Sequence, residues 1–170
     1  MYREPRTSPL IPAYGELSLA DLSASLLASL SDGPRPPGAV AGDAFANPLG
    51  LPSARRACLL LVDGLGWNLL RDNLDAAPFL AGLVAGSAPL EVGFPSTTVT
   101  SLASVGTGLP PGEHGMLGMQ VADPATGRLV NGLHWPPEVD PVAWQAKPTI
   151  FERAVEFARA LSAATARPTR

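Results

Sequence analysis

A single cysteine, Cys58, stands in a chain of 170 residues. It cannot form an internal disulfide, so nothing in the sequence demands an oxidising compartment. Its place in an apolar run predicts a buried structural thiol. Charge is also scarce: 16% of residues are Asp, Glu, Lys or Arg, against about 25% in typical globular domains. The net charge of -3 argues against nucleic acid or an anionic membrane surface as partner. No segment approaches the roughly 18 apolar residues of a membrane span, and the opening MYREPRTSPLIPAYGE lacks the apolar stretch of a secretory leader. A soluble, cytoplasmic protein is the expectation. No internal repeat is visible. The G-x-S-x-G elbow of lipase-like serine hydrolases is missing, and Ser101 and Ser104 have no evident His and acid partners.

What is present is enough apolar material for a core, 46% of residues, interrupted by 19 prolines and 17 glycines. The length suits one ordinary domain or a piece of a larger one. Residues 1–15 read as an extended arm. In SLADLSASLLASLSDG, Leu19, Leu22, Leu26, Leu27 and Leu30 recur at helical spacing, with Ser18 as N-cap, Asp21 in the capping-box position and Gly33 as the stop. Residues 33–53 are rich in Pro and Gly and read as a linker or long loop. The chain thus divides into residues 1–53, an arm, helix and linker, and residues 54–170, an α/β unit.

In that unit ACLLLVDGLG, from Ala57 to Gly66, is a continuous apolar run ended by an acid and two glycines. Such a run is expected of a strand buried on both faces of a parallel sheet. Helices are expected over 67–74 and 77–84, a second strand in APLEVGF, and a helix over 98–105 closed by Gly106 and Gly108. A hairpin is expected over 119–131 with DPATG as its turn. A last helix is expected over 149–166, with Thr149 as N-cap and Glu152 completing a capping box. Strands and helices in alternation with short connections make an α/β layer structure.

Two places could carry chemistry. Asp63 ends the buried run, where open α/β sheets gather ligands. Its carboxylate there suits a metal ion or merely caps the following turn. In FPSTTVTS, a helix beginning near Thr98 would offer free N–H groups and a positive dipole end to an anion. A threonine hydroxyl at that point is either a cap or, beside a metal that lowers its pKa, a nucleophile for phosphorus.

Taken together, VDGLG, FPSTT and TGLPPGEHG occur in an order and spacing that resembles the nucleotide pyrophosphatase/phosphodiesterase family of the alkaline phosphatase superfamily. The resemblance covers Ala57 to Met119. It implies the N-terminal portion of an alkaline-phosphatase-like three-layer fold with a mainly parallel sheet, and a metal-dependent hydrolase acting on a small phosphoester or nucleotide-like substrate. It makes Thr98, rather than Thr97, the nucleophile. Asp63 would bind one of two zinc ions, and Thr98 would coordinate the same ion. His114, in the HG element, would support the fold and bind no metal, in keeping with a structural histidine bonded to nearby backbone; His134 matches no ligand motif.

The sequence also departs from the family. Met119 stands where many members have an asparagine that helps hold phosphate, and VTS follows the nucleophile in place of FPN. The remaining zinc ligands of the family, Asp-x-x-x-His, Asp-His and a late histidine, have no counterparts. After Trp144 there is no histidine, and the only acids are Glu152 and Glu156. The expectation is therefore an N-terminal part of a longer enzyme. It would hold at most one zinc weakly, be inactive in isolation, and end in a stretch, ARALSAATARPTR, that has left the family's sequence. The competing reading is a non-catalytic α/β domain whose proline-rich N-terminal half is an interaction surface.

Overall fold

The computed structural model describes residues 11–31 and 46–165. In chain order these contain α1 (Asp21–Ser31), α2 (Trp67–Arg71), a 3-10 turn (Leu74–Ala76), α3 (Pro78–Val84), α4 (Thr98–Thr107), α5 (Pro111–His114), β1 (Gln120–Ala122), β2 (Leu129–Asn131), α6 (Pro141–Trp144) and α7 (Ile150–Thr165). The fold is mixed helix and strand. Most of the expected arm and linker, including the Gly33 stop, and the expected helix end at Ala166 lie outside the described residues.

Helix α1 starts where local polar chemistry allows it. The Ser18 backbone N–H and hydroxyl both donate to Asp21 Oδ2, at 2.8 and 2.6 Å, so the acid reaches back to the preceding turn as a capping box requires. Its buried face differs from the expected leucine stripe. Ser23, Ser25 and Ser29 are buried, whereas Leu22, Leu26 and Leu27 are half-buried and Leu30 is exposed. Helix α1 packs against α4 and α7, and each buried serine finds a partner: Ser23 donates to Val105 O of α4, Ser25 accepts from Leu49 N–H, and Ser29 donates to Pro52 O. Buried hydroxyls are tolerated when bonded in this way.

Helix α4 is the centre of the arrangement and packs against α1, α5 and α7. Val99, Thr100, Ser104 and Thr107 are its buried positions, and Ala20, Met116, Val130 and Ile150 complete a small apolar core. The helix runs through Gly106 and ends at Gly108, whose φ of 68° lets its N–H return to Ser104 O at 2.8 Å. At the far end of the chain, the Thr149 N–H and hydroxyl donate to Glu152 Oε2 at 2.7 and 2.8 Å, and Glu152 N–H donates to Thr149 Oγ1. These bonds start α7 as expected. They also hold the Glu152 carboxyl below its ordinary pKa, since they favour the anion.

The expected hairpin is present. Strands β1 and β2 pair antiparallel with Val121 opposite Val130. Asp123 organises the turn, taking Ala125 N–H and the Thr126 hydroxyl on its carboxylate. These bonds lower its pKa.

Residues 57–62 depart from expectation. Among the described residues this segment pairs with no strand, and Leu59, Leu60, Leu61 and Val62 are exposed, Leu60 by 78%. Cys58 is exposed too, not buried as its surroundings predict. The reason is that an apolar run becomes a buried strand only when neighbouring strands and helices cover it, and no described residue does so. The parallel pairing among the described residues is one bridge between Ser18 and Glu91, in which Leu19 N–H donates to Glu91 O and Glu91 N–H to Leu17 O, both at 2.8 Å. This is all that forms of the strand expected in APLEVGF. Helices α2 and α3 likewise bury no residue. No described helix is long and apolar enough to cross a membrane.

Candidate functional site

The site forms where the apolar segment ends and α4 begins. Asp63 follows Val62, and the chain turns there with Leu65 N–H donating to Val62 O. On the α4 side the N-cap is Thr97, with extended backbone at φ -111° and ψ 156°. Its hydroxyl accepts the Thr100 N–H and donates to Thr100 Oγ1 at 3.0 Å, and its carbonyl takes Ser101 N–H at 2.9 Å. Capping therefore falls to Thr97. Thr98 is left at the first helical position with a hydroxyl that the cap does not use.

That hydroxyl donates to Asp63 Oδ2 at 3.4 Å, a long and weak hydrogen bond. The fold thus brings together two residues separated by 35 positions in sequence. Asp63 is exposed and Thr98 half-buried, so the pair faces solvent. Because Thr97 satisfies the third and fourth donors of the helix, the N–H groups of Thr98 and Val99 have no intrahelical partner, and they lie at the positive end of the helix.

Farther along α4 is a buried contact between Ser104 and His114 that the sequence reading did not foresee. Met116 N–H donates to His114 Nδ1 at 3.0 Å, and His114 Nε2 lies 3.0 Å from Ser104 Oγ. Since Nδ1 accepts, the proton of the neutral ring is on Nε2, which donates to the serine. His114 is 4% exposed, and burial lowers its pKa by disfavouring the imidazolium. The ring ties α4 to the turn after α5 and is bonded to nearby backbone as expected. The available signal was the helical spacing of Thr100, Ser104 and Thr107, which places three hydroxyls on one face of α4. His134 is exposed, with its N–H bonded to Asn131 O. Met119 is exposed, and its carbonyl accepts Gly132 N–H at 2.9 Å.

Zinc takes three or four protein ligands in its ordinary sites. Asp63 and Thr98 offer two, and the described residues include no group of three His, Cys, Asp or Glu placed to hold a metal ion. The donors present do not fit a complete zinc site.

Comparison with curated proteins and with solved structures gives no match. A family model described as type I phosphodiesterase / nucleotide pyrophosphatase matches residues 57–168, more than half of the chain. The match includes both Asp63 and Thr98. It also runs through the ARALSAATARPTR stretch as far as residue 168, so the expectation that this ending has left the family is corrected. The chain belongs to the type I phosphodiesterase / nucleotide pyrophosphatase family.

Proposed function

We propose that this chain supplies the nucleophile half of a metal-dependent phosphoester hydrolase of the phosphodiesterase or nucleotide pyrophosphatase type. The observation that carries the reading is the Thr98 Oγ1 to Asp63 Oδ2 contact, made by the two residues that the family motifs single out. Thr98 is the nucleophile and Asp63 its carboxylate neighbour. The substrate is a small phosphoester or nucleotide-like compound. In the reaction Thr98 Oγ1 loses its proton and attacks phosphorus, forming an O–P bond as the leaving oxygen departs and is protonated; water then attacks the same phosphorus, the bond to Thr98 Oγ1 breaks and the hydroxyl is restored, and the phosphoryl product leaves. The N–H groups of Thr98 and Val99 suit the negative oxygens of the phosphoryl group.

A threonine hydroxyl is a weak nucleophile without activation. One carboxylate at 3.4 Å orients it but is too weak a base to hold its proton off. The donor set is too small for the two zinc ions of the family reaction and holds at most one, weakly. The chain alone is accordingly inactive, and its α/β layer is the N-terminal portion of an alkaline-phosphatase-like sheet that is mainly parallel when complete. Hydrolysis of bis(p-nitrophenyl) phosphate by the purified 170-residue chain with added zinc tests this. No zinc-dependent turnover is expected; turnover that Thr98→Ala abolishes would overturn the proposed inactivity.

The exposure of Leu59, Leu60 and Phe79 favours a second reading, a non-catalytic interaction domain. Zinc titration separates the two. The hydrolase reading expects one weakly held ion, lost in Asp63→Asn, while an interaction domain binds none.

A further inference from the structure

We infer that Tyr14 is a positioning residue for Thr98, acting through the chain that leads into α4, an inference that rests on the reading of Thr98 as the nucleophile. Tyr14 falls in the stretch that the sequence presents as an arm, ahead of the family match over residues 57–168. The fold nevertheless ties it to the nucleophile segment. Phe94 N–H donates to Tyr14 Oη at 3.2 Å, across 80 positions of sequence, and Phe94 stands four positions before Thr98. From there Thr97 N–H donates to Pro95 O at 3.0 Å, and Thr97 caps the helix. A short turn held by its own bonds thus separates the Tyr14 contact from Thr98.

The tyrosine is itself held on both sides. Ala13 N–H donates to Glu91 Oε2 at 2.7 Å, and Gly15 N–H donates to Asp21 Oδ1 at 3.1 Å. Glu91 also bonds through its backbone to Leu17 and Leu19. Between Glu91 and Phe94, Gly93 is buried, and a Cβ there would lie 2.9 Å from Pro111 Cγ of α5 and 3.4 Å from Tyr14 Oη. The backbone therefore runs close to α5 and to the tyrosine at once. Farther along, Ser23 Oγ of α1 donates to Val105 O of α4 at 2.6 Å. One N-terminal piece grips the chain just before α4 and again near the end of that helix, which fixes where α4 starts and so where the Thr98 hydroxyl lies relative to Asp63. A nucleophile is effective only when it is held in line with its target, and small misplacements are costly in rate.

NMR of the 170-residue chain tests the positioning without turnover, so its outcome is separate from that of the hydrolase reading, which the zinc and hydrolysis measurements judge. Tyr14→Phe keeps the ring and removes only the acceptor. The Phe94 amide is expected to exchange about three- to tenfold faster, the effect of one lost hydrogen bond. The Gly108 amide, bonded to Ser104 O at the far end of α4, is expected to keep its rate. Scalar couplings of Thr98 are expected to report one χ1 rotamer in the unsubstituted chain and an average over several in Tyr14→Phe. Glu91→Ala, which frees Ala13, is expected to accelerate Phe94 exchange too, and to add nothing in the Tyr14→Phe background, because both changes act through one bond. A Phe94 amide indifferent to Tyr14→Phe, equal acceleration at Gly108, an unchanged Thr98 rotamer, or additive effects of the two substitutions would overturn the proposal. Should Tyr14→Phe fail to fold by circular dichroism, Glu91→Ala read at Phe94 and Thr98 decides.

Discussion

At the scale of single residues, two adjacent threonines share the work that one hydroxyl could not do. Thr97 caps α4, and this leaves Thr98 to meet Asp63. Thr97→Ala should lower stability by about 1 kcal/mol, the usual cost of a lost N-cap. Thr98→Ala should change stability by less than about 0.5 kcal/mol, as expected for a side chain outside the cap and core. Urea unfolding of the two variants checks the division. The buried His114 gives a pH signature of its own. Its folded-state pKa is lowered, so between that value and the unfolded value of about 6.5 the unfolded chain binds more protons. Stability is then fully present above pH 6.5 and falls on acidification below it. Thermal melts from pH 7.5 downward should show this loss, and His114→Gln should flatten it while lowering stability at neutral pH by about 2 kcal/mol through the lost buried bonds. The sequence pointed to Asp63 and Thr98 because motif order survives without a structure. The bond between Ser104 and His114 was not legible, since it depends on how α4 meets the turn after α5.

At the scale of elements, what was legible is what local chemistry determines. Helix α7 begins where the Thr149 and Glu152 side chains each accept the other's backbone N–H, and the hairpin turns where Asp123 collects its bonds. Both can be read from a few consecutive residues. Residues 57–62 could not be read in this way, because the hydrogen bonds of a strand belong to its neighbours. The leucines of α1 misled for a related reason: periodicity shows which side chains share a face, and packing decides which face is covered. Close approach provides the test here. A Cβ added to Gly132 would lie 2.8 Å from Val99 Cγ1 and 3.4 Å from Met116 Cε. Gly132→Ala should therefore destabilise by about 1–3 kcal/mol through overpacking, measured by the same urea unfolding.

For the whole molecule, the apolar surface is divided unevenly. A small core around α4 is closed by α1, α5 and α7, while Leu59–Val62 and the residues Leu69, Phe79 and Leu83 remain exposed. Exposed apolar area contributes nothing to folding, so the isolated chain should unfold with less than the roughly 5 kcal/mol at the lower end for native domains. Denaturant titration checks this. The same division leaves Asp63 exposed and Thr98 half-buried, with no group of three His, Cys, Asp or Glu placed to hold a metal ion among the described residues. Joining the chain to the C-terminal part of a family member that carries the Asp-x-x-x-His and Asp-His ligands is therefore the most direct test of the account. Zinc-dependent hydrolysis of bis(p-nitrophenyl) phosphate should appear in the joined protein, persist in Thr97→Ala and vanish in Thr98→Ala. Hydrolysis that survives Thr98→Ala in a folded, zinc-loaded protein would contradict it.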